Sequence, residues 1–589
     1  MARLPFKAAL IATFVAVAGA PAPPAAQGQP TWIARSNEHA RWLLEAQAKF
    51  TPEGAARQGL AGFDEQVTQL PTDRRARIKA ETEAIIRELR RRLDAEKDAL
   101  VAQDLQMMVT ATENNLKAQE LNQKYQLPYF NVSQIVFGGL RGLLDDQVPA
   151  ERRRAAVARL RKYTGAEPGF TPLTEQAKAR TIEWAQAGQL GPSKVELESD
   201  LARTDFFVAG IGELFADYKI DGYQEPYARL KQQVVEYTAW LRKEVLPKAR
   251  SDFRLAPEQY AFNLMQYGVD IPAAQLTRMA HAAFAEWQAE MQPVALAVAK
   301  ARGLTVTDYR DVIRELKKEQ LVGNAILPHY EQRLKDIEAI IAREHLVTLP
   351  SRPARIRLAT AAETAQQPAP NMRVPPLVNN TGQQGEFVLP LNAPTKPGAA
   401  ATTATDDFTF AAASWTLTAH EARPGHELQF ASMLERGVSL ARSMFAFNSV
   451  NVEGWGLYAE HILKPYEPLE GQLVSLQLRL MRAARAFIDP ELQSGALTPE
   501  DGLRILTKDV VLSEAFANTE IERYTFRAPG QATSYFYGYT RLIELRKDVE
   551  ARMGARFDQQ KYHDFVLAQG LLPPDLLRKT VMDQFVPSR

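Results

Sequence analysis

Hydrophobic positions recur every three or four residues through most of the chain, the period of helices that bury one face. Residues 72–119 ("TDRRARIKAETEAIIRELRRRLDAEKDALVAQDLQMMVTATENNLKAQ") set apolar side chains at that spacing among charges of both signs. The basic run Arg90 to Arg92 inside it reads as a solvated helix face. The same period predicts helices over 227–249, 272–301 and 329–346. In "LTPEDGLRIL" Thr498 is the expected N-cap, Pro499 the first helical residue and Asp501 the acid of the first turn. Between about 350 and 405 the pattern fails: Pro, Gly, Asn and Thr become frequent, and "ARIRLAT" and "GEFVLPLNA" read as short strands. The expectation is a mainly α chain with one small β-rich insert. Its parts are residues 1–28, a helical part at 29–349 covering a cleft, the insert at 350–410 and a helical part at 411–589.

The first 28 residues stand apart. "MARLPFK" is basic, "AALIATFVAVAGA" is apolar but short for a membrane span, and Ala18 and Ala20 fit a small-residue cleavage pattern followed by a Pro/Ala-rich stretch. This reads as an export leader and predicts a periplasmic or extracellular protein, with no later stretch able to span a membrane. The sequence has no cysteine, which removes thiolate ligands, cysteine nucleophiles and a lipidated cysteine. Lys and Arg total 71 against 70 Asp and Glu, for a net charge of +1. That balance argues against nucleic acid or an anionic membrane as a partner recruited by bulk charge.

Candidate chemistry concentrates at 420–461, which holds three of the 8 histidines. In "HEARPGH" the second histidine follows the first by six residues, about 120° around a regular helix, so His420 and His426 cannot share one tetrahedral ion without a distortion. Pro424 lacks an N–H and Gly425 tolerates unusual backbone, so a two-residue Pro-Gly bulge is expected to return His426 to the face of His420. Downstream, "NVEGWGLYAEH" offers Glu453 and, seven residues on, Glu460 on the same helix face, a supporting carboxylate behind the ligands. Trp455, Tyr458, Ala459 and Ile462 form a packing stripe there, and Gly454 and Gly456 allow a neighbour to approach closely. Two imidazoles and a carboxylate with one open position make a catalytic zinc set, with one zinc per chain. Glu421, beside a ligand but pointing past it, is the expected general base. His461, His39, His281, His329, His345 and His563 read as structural.

"HEARPGHELQ", "EGWGLYAE" and "ERYTFRAPGQATSYFYG" resemble, in order and spacing, the bacterial family catalogued as domain of unknown function 885, over nearly the whole mature chain. That family looks like the helical gluzincin metallopeptidases. The resemblance implies a gluzincin-like fold with His420, His426 and Glu453 as ligands, Glu421 as base, and "GEFVLPLNA" as a sheet edge that pairs with substrate. It also implies a tyrosine donor to the developing oxyanion, Tyr535 first and Tyr524 second, with Arg523 and Gln531 holding polar groups of the substrate. One departure stands out: where the family carries a histidine after "RAARAFID", this chain has Gln493. The function implied is a secreted zinc metallopeptidase acting on short or unstructured peptides. The alternatives are a zinc-dependent amidase on a non-peptide or modified-peptide amide, and a catalytically silent peptide-binding protein on the same scaffold.

Overall fold

The computed structural model describes residues 30–127, 129–183, 189–391 and 406–588. The expected leader at 1–28 lies outside the described residues. The chain is mainly helical, and the helices expected from periodicity are present. They include Ala273–Arg302, Ile326–Arg343, and Gln224–Trp240 with a wider turn continuing it at Leu241–Val245. Thr498 caps Pro499–Arg504 by accepting from the Asp501 N–H at 3.1 Å. The periodic stretch at 72–119 divides into Arg74–Ala95 and Ala99–Tyr125. The break follows from local side-chain bonds: Glu96 accepts from the N–H groups of Lys97 and Asp98, and Asp98 caps the next helix through Leu100 and Val101. No helix among the described residues is long and apolar enough to cross a membrane.

The largest hydrophobic core runs from Met107 and Tyr260 to Phe585. It joins helices that begin at Pro257 to those between Ala413 and Phe585. A second core gathers Val67 to Val245 with Ala362 and Ala365 of the insert. A third packs Ala40 to Val109 against Val378, Leu440 and Ala441. The insert carries a three-stranded sheet in the order β1 (Arg355–Leu358), β3 (Glu386–Leu389), β2 (Asn371–Arg373), with β1 parallel and β2 antiparallel to β3. The expected substrate-pairing edge is therefore corrected. Its strand, Glu386–Leu389, is the central one, and both of its hydrogen-bonding sides are taken by β1 and β2, while residues 392–393 of the expected edge lie outside the described residues.

A closed ring of alternating charges fastens this sheet to the N-terminal helices. Arg141 pairs with Asp145 at 2.8 Å and Glu363 at 2.7 Å; Arg357 pairs with Glu363 at 2.8 Å and Glu386 at 3.0 Å. Arg373 closes the ring between Glu386 and Asp145. Burial opposes ionisation of Asp145, but Arg373 and Arg141 outweigh it and draw its pKa down to about 2.

Candidate metal centre

His420 and Glu421 end the helix Ala413–Glu421, and His426 begins the helix His426–Arg436. Between them Ala422 to Gly425 form a turn in which the Arg423–Pro424 peptide is cis. The expected bulge inside one helix is thus a break and restart, and the second histidine does return to the first. Space, rather than a left-handed backbone, is what demands glycine at 425. Its φ is −76°, but a Cβ there would stand 1.9 Å from the His420 carbonyl oxygen and 2.4 Å from that of Ala419.

Hydrogen bonds tie the turn down. The N–H groups of Ala422 and Arg423 donate to the Thr418 carbonyl, and the Trp455 indole donates to that of Pro424 at 3.0 Å. The buried Arg423 guanidinium binds Glu427 at 2.7 Å, Glu338 at 2.6 Å and the Arg352 carbonyl at 2.5 Å. Bonds of this kind let an irregular segment survive in the interior.

The helix Ser449–Leu463 brings Glu453 across the two histidines. Glu453 Oε2 stands 3.3 Å from His426 Nε2 and 3.5 Å from His420 Nε2, and one ligand atom from each residue lies within 4.8 Å of the others. Two glycines permit the crossing. A Cβ on Gly456 would meet His420 Cε1 at 2.6 Å and His426 Cε1 at 2.9 Å, while one on Gly454 would meet the Gly538 backbone at 2.6 Å. The packing stripe Trp455, Tyr458, Ala459 and Ile462 is buried as expected.

Glu460 sits behind His420. Its Oε1 accepts from His420 Nδ1 at 2.7 Å, its Oε2 accepts from Thr416 Oγ1 at 2.5 Å, and Arg482 lies 3.4 Å away. This network assigns the Nδ1 proton and turns the Nε2 lone pair toward Glu453.

Glu453 Oε2 is buried and no hydrogen bond reaches it. Lone pairs of two imidazoles and a carboxylate thus converge with no proton assigned between them, an arrangement a cation completes. Burial disfavours a charge on His420, but Glu453 and Glu460 outweigh it and raise its pKa. The donor set of two imidazoles and a carboxylate fits zinc. Glu421 is buried at 8% exposure beside this point; burial and the Glu453 carboxylate push its pKa up to about 8 against the pull of His426 and Arg482.

The remaining expected residues divide. The Tyr535 ring lies nearly parallel to that of His420, 6.0 Å between centroids, and its hydroxyl oxygen accepts from Arg523 Nη2 at 2.8 Å. Tyr524 is drawn elsewhere: its hydroxyl donates at 2.6 Å to Glu520, which also binds Arg485. Its expected role as an oxyanion donor is corrected, because its proton is committed to that buried carboxylate. Arg523 and Gln531, expected to face substrate, bond to each other, and Gln531 reaches Glu453. Gln493 is a latch; it accepts from the Leu255 N–H at 2.9 Å and donates to the Tyr524 carbonyl at 2.8 Å.

Among the other histidines, His563 lies between the Leu346 carbonyl and the Tyr458 hydroxyl, and His461 bonds the Tyr539 hydroxyl. Sequence reasoning missed Thr416 and Arg482. Thr416, one helical turn before His420, carried a spacing signal; Arg482 carried none.

Fold and site together define a mainly helical protein with a buried His-His-Glu cluster. The chain belongs to the bacterial proteins of unknown function DUF885, whose family model matches residues 52–581. A solved structure of similar fold, described as a putative lipoprotein from Colwellia psychrerythraea, shares 21% identity at a TM-score of 0.73, covering 95% of this chain and 100% of that one. Another, described as a putative lipoprotein of unknown function from Shewanella oneidensis, shares 18% identity at a TM-score of 0.67, covering 93% and 99%. No curated protein matches the chain.

Proposed function

We propose that this protein is a zinc-dependent metallopeptidase of gluzincin type that hydrolyses peptide bonds in short or unstructured peptides outside the cytoplasm. The observation that carries the reading is the convergence of His420, His426 and Glu453 on one point, with Glu421 buried beside it. Zinc held by those three ligands would supply Lewis acidity toward water and a carbonyl oxygen. In its ionised form, which a bound cation would favour against the effect of burial, Glu421 accepts the proton of the attacking water and passes it to the leaving amine. Arg523 donates to the Tyr535 oxygen, which leaves the phenolic proton free for the developing oxyanion. His420 and His426 are only 2% and 6% exposed, which favours an extended peptide over a folded protein. The leader pattern at 1–28, with two proteins of similar fold described as putative lipoproteins, supports action in the periplasm or outside the cell.

The test pairs metal content with cleavage of a peptide library read by mass spectrometry. Wild type should hold about one zinc and cleave, and His426→Ala should lose the metal. Glu421→Gln should keep the metal and lose turnover about 10²- to 10⁴-fold. Equal turnover by wild type and Glu421→Gln would sink the mechanism, and a folded, zinc-supplemented wild type without metal would remove the reading.

A further inference from the structure

We propose that Gln531 is a positioning residue whose amide holds one oxygen of Glu453 and thereby presents the other to the metal. The inference rests on the metal-site reading above. Gln531 lies in the turn between the irregular segment Arg523–Arg527 and the helix Thr533–Met553. Its Nε2 donates to Ser449 Oγ at 2.9 Å and to Glu453 Oε1 at 3.3 Å, and its Oε1 accepts from Arg523 Nη2.

The orientation of this amide follows from its partners. Arg523 has donors and no acceptor, so the amide oxygen must face it and the two N–H groups must face Ser449 and Glu453. The serines agree with that assignment. Ser534 Oγ donates to the Gln531 carbonyl at 2.6 Å, so within the Ser449–Ser534 pair, 2.7 Å apart, Ser449 is the donor. A lone pair of Ser449 Oγ is then left to accept from Gln531. Each proton in the chain has one place, and an inverted amide would set oxygen against carboxylate.

The consequence falls on Glu453. Its Oε1 is engaged by Gln531, while its Oε2 is buried, without a hydrogen bond, and faces both imidazoles. The same Arg523 nitrogen that orients Gln531 also donates to Tyr535. One guanidinium therefore sets both the third ligand and the tyrosine. Partners of this kind change metal affinity when removed, because an unsupported carboxylate can rotate or bind through both oxygens.

The experiment compares wild type and Gln531→Met, similar in length but without hydrogen bonds, by zinc competition against a chromophoric chelator. Cobalt substitution then reports ligand geometry, and melting of the metal-free proteins reports the fold. Gln531→Met should weaken zinc about 10- to 100-fold and shift the cobalt visible bands. Gln531→Glu, which keeps the bond from Arg523 but turns a donor into an acceptor facing Glu453, should weaken zinc further; it gives the same reading if Gln531→Met does not fold. Zinc affinity and cobalt spectrum unchanged in either folded variant would overturn the inference while leaving the metal site standing. A wild type that binds neither metal would overturn both.

Discussion

Replacing Gly456 by alanine separates the metal site from the fold. In a helix interior the change favours folding by up to about 1 kcal/mol. Here the new Cβ would stand 2.6 Å from His420 Cε1 and 2.9 Å from both His420 Nε2 and His426 Cε1. Ordinary carbon contacts begin near 3.5 Å, so the imidazoles must retreat by roughly 1 Å. Metal–ligand distances tolerate only about 0.2 Å. His420 has little room to yield, because Glu460 holds its Nδ1 at 2.7 Å. Zinc affinity should therefore fall by at least about 100-fold, close to 3 kcal/mol; in the metal-free protein the same overpacking, about 1–3 kcal/mol, is partly offset by the helix gain, so it should melt a few degrees below wild type at most. The assay is chelator competition beside calorimetry of the metal-free proteins. Gly454→Ala is the contrasting control: its Cβ meets the Gly538 backbone, which has no rotamer to change, so it should lower the melting temperature itself. A folded Gly456→Ala protein with wild-type zinc affinity would refute the assignment of Gly456 as the clearance for both ligands.

Glu460→Ala should lower zinc affinity about 10- to 100-fold by releasing the His420 ring, measured by the same competition; an unchanged affinity would show that the ring is held by packing alone. The charge ring predicts acid sensitivity. Asp145 is ordinarily near 3.8 and is held at about 2 in the fold, so folding favours its ionised form. Its contribution, about 2 kcal/mol, is complete above about pH 4 and lost as pH falls from there toward 2. Denaturant titrations of wild type and Asp145→Asn across that window should show the slope in the first and a flatter profile in the second.

Much of the architecture was legible because it rests on local pattern. The long helices follow from apolar spacing, the Thr498 cap from its own side chain, and the convergence of His420, His426 and Glu453 from a motif whose order survives in the sequence. What was not legible depends on partners distant in the chain. Strand β2 is three residues long and exists because β3 offers it a side. The sequence ranks Tyr535 ahead of Tyr524 but does not show what holds either; Glu520 claims the Tyr524 hydroxyl, and the Tyr535 ring stacks on His420. The histidine spacing pointed to a distortion. Its form, a break and restart, is decided by the closeness of Gly425 to the carbonyls of Ala419 and His420.

Each of the three proposed ligands is held by a different element, and this would explain how apolar packing reaches the tolerance a metal requires. Hydrophobic contacts set positions loosely, because they are non-directional, whereas hydrogen bonds fix which atom of a ring or carboxylate faces inward. Glu460 and Thr416 do this for His420, and Gln531 does it for Glu453. His426 has no such partner, since its Nδ1 is buried without a hydrogen bond. Its orientation comes instead from the backbone that carries it. The Trp455 indole, two residues beyond Glu453, donates to the Pro424 carbonyl, two residues before His426. That single bond spans the gap between the second ligand and the third, and Arg423 anchors the same turn to Glu338 and Glu427. The Pro-Gly turn is therefore the brace that makes a six-residue histidine spacing workable, and the elements that hold it come from both sides of the site.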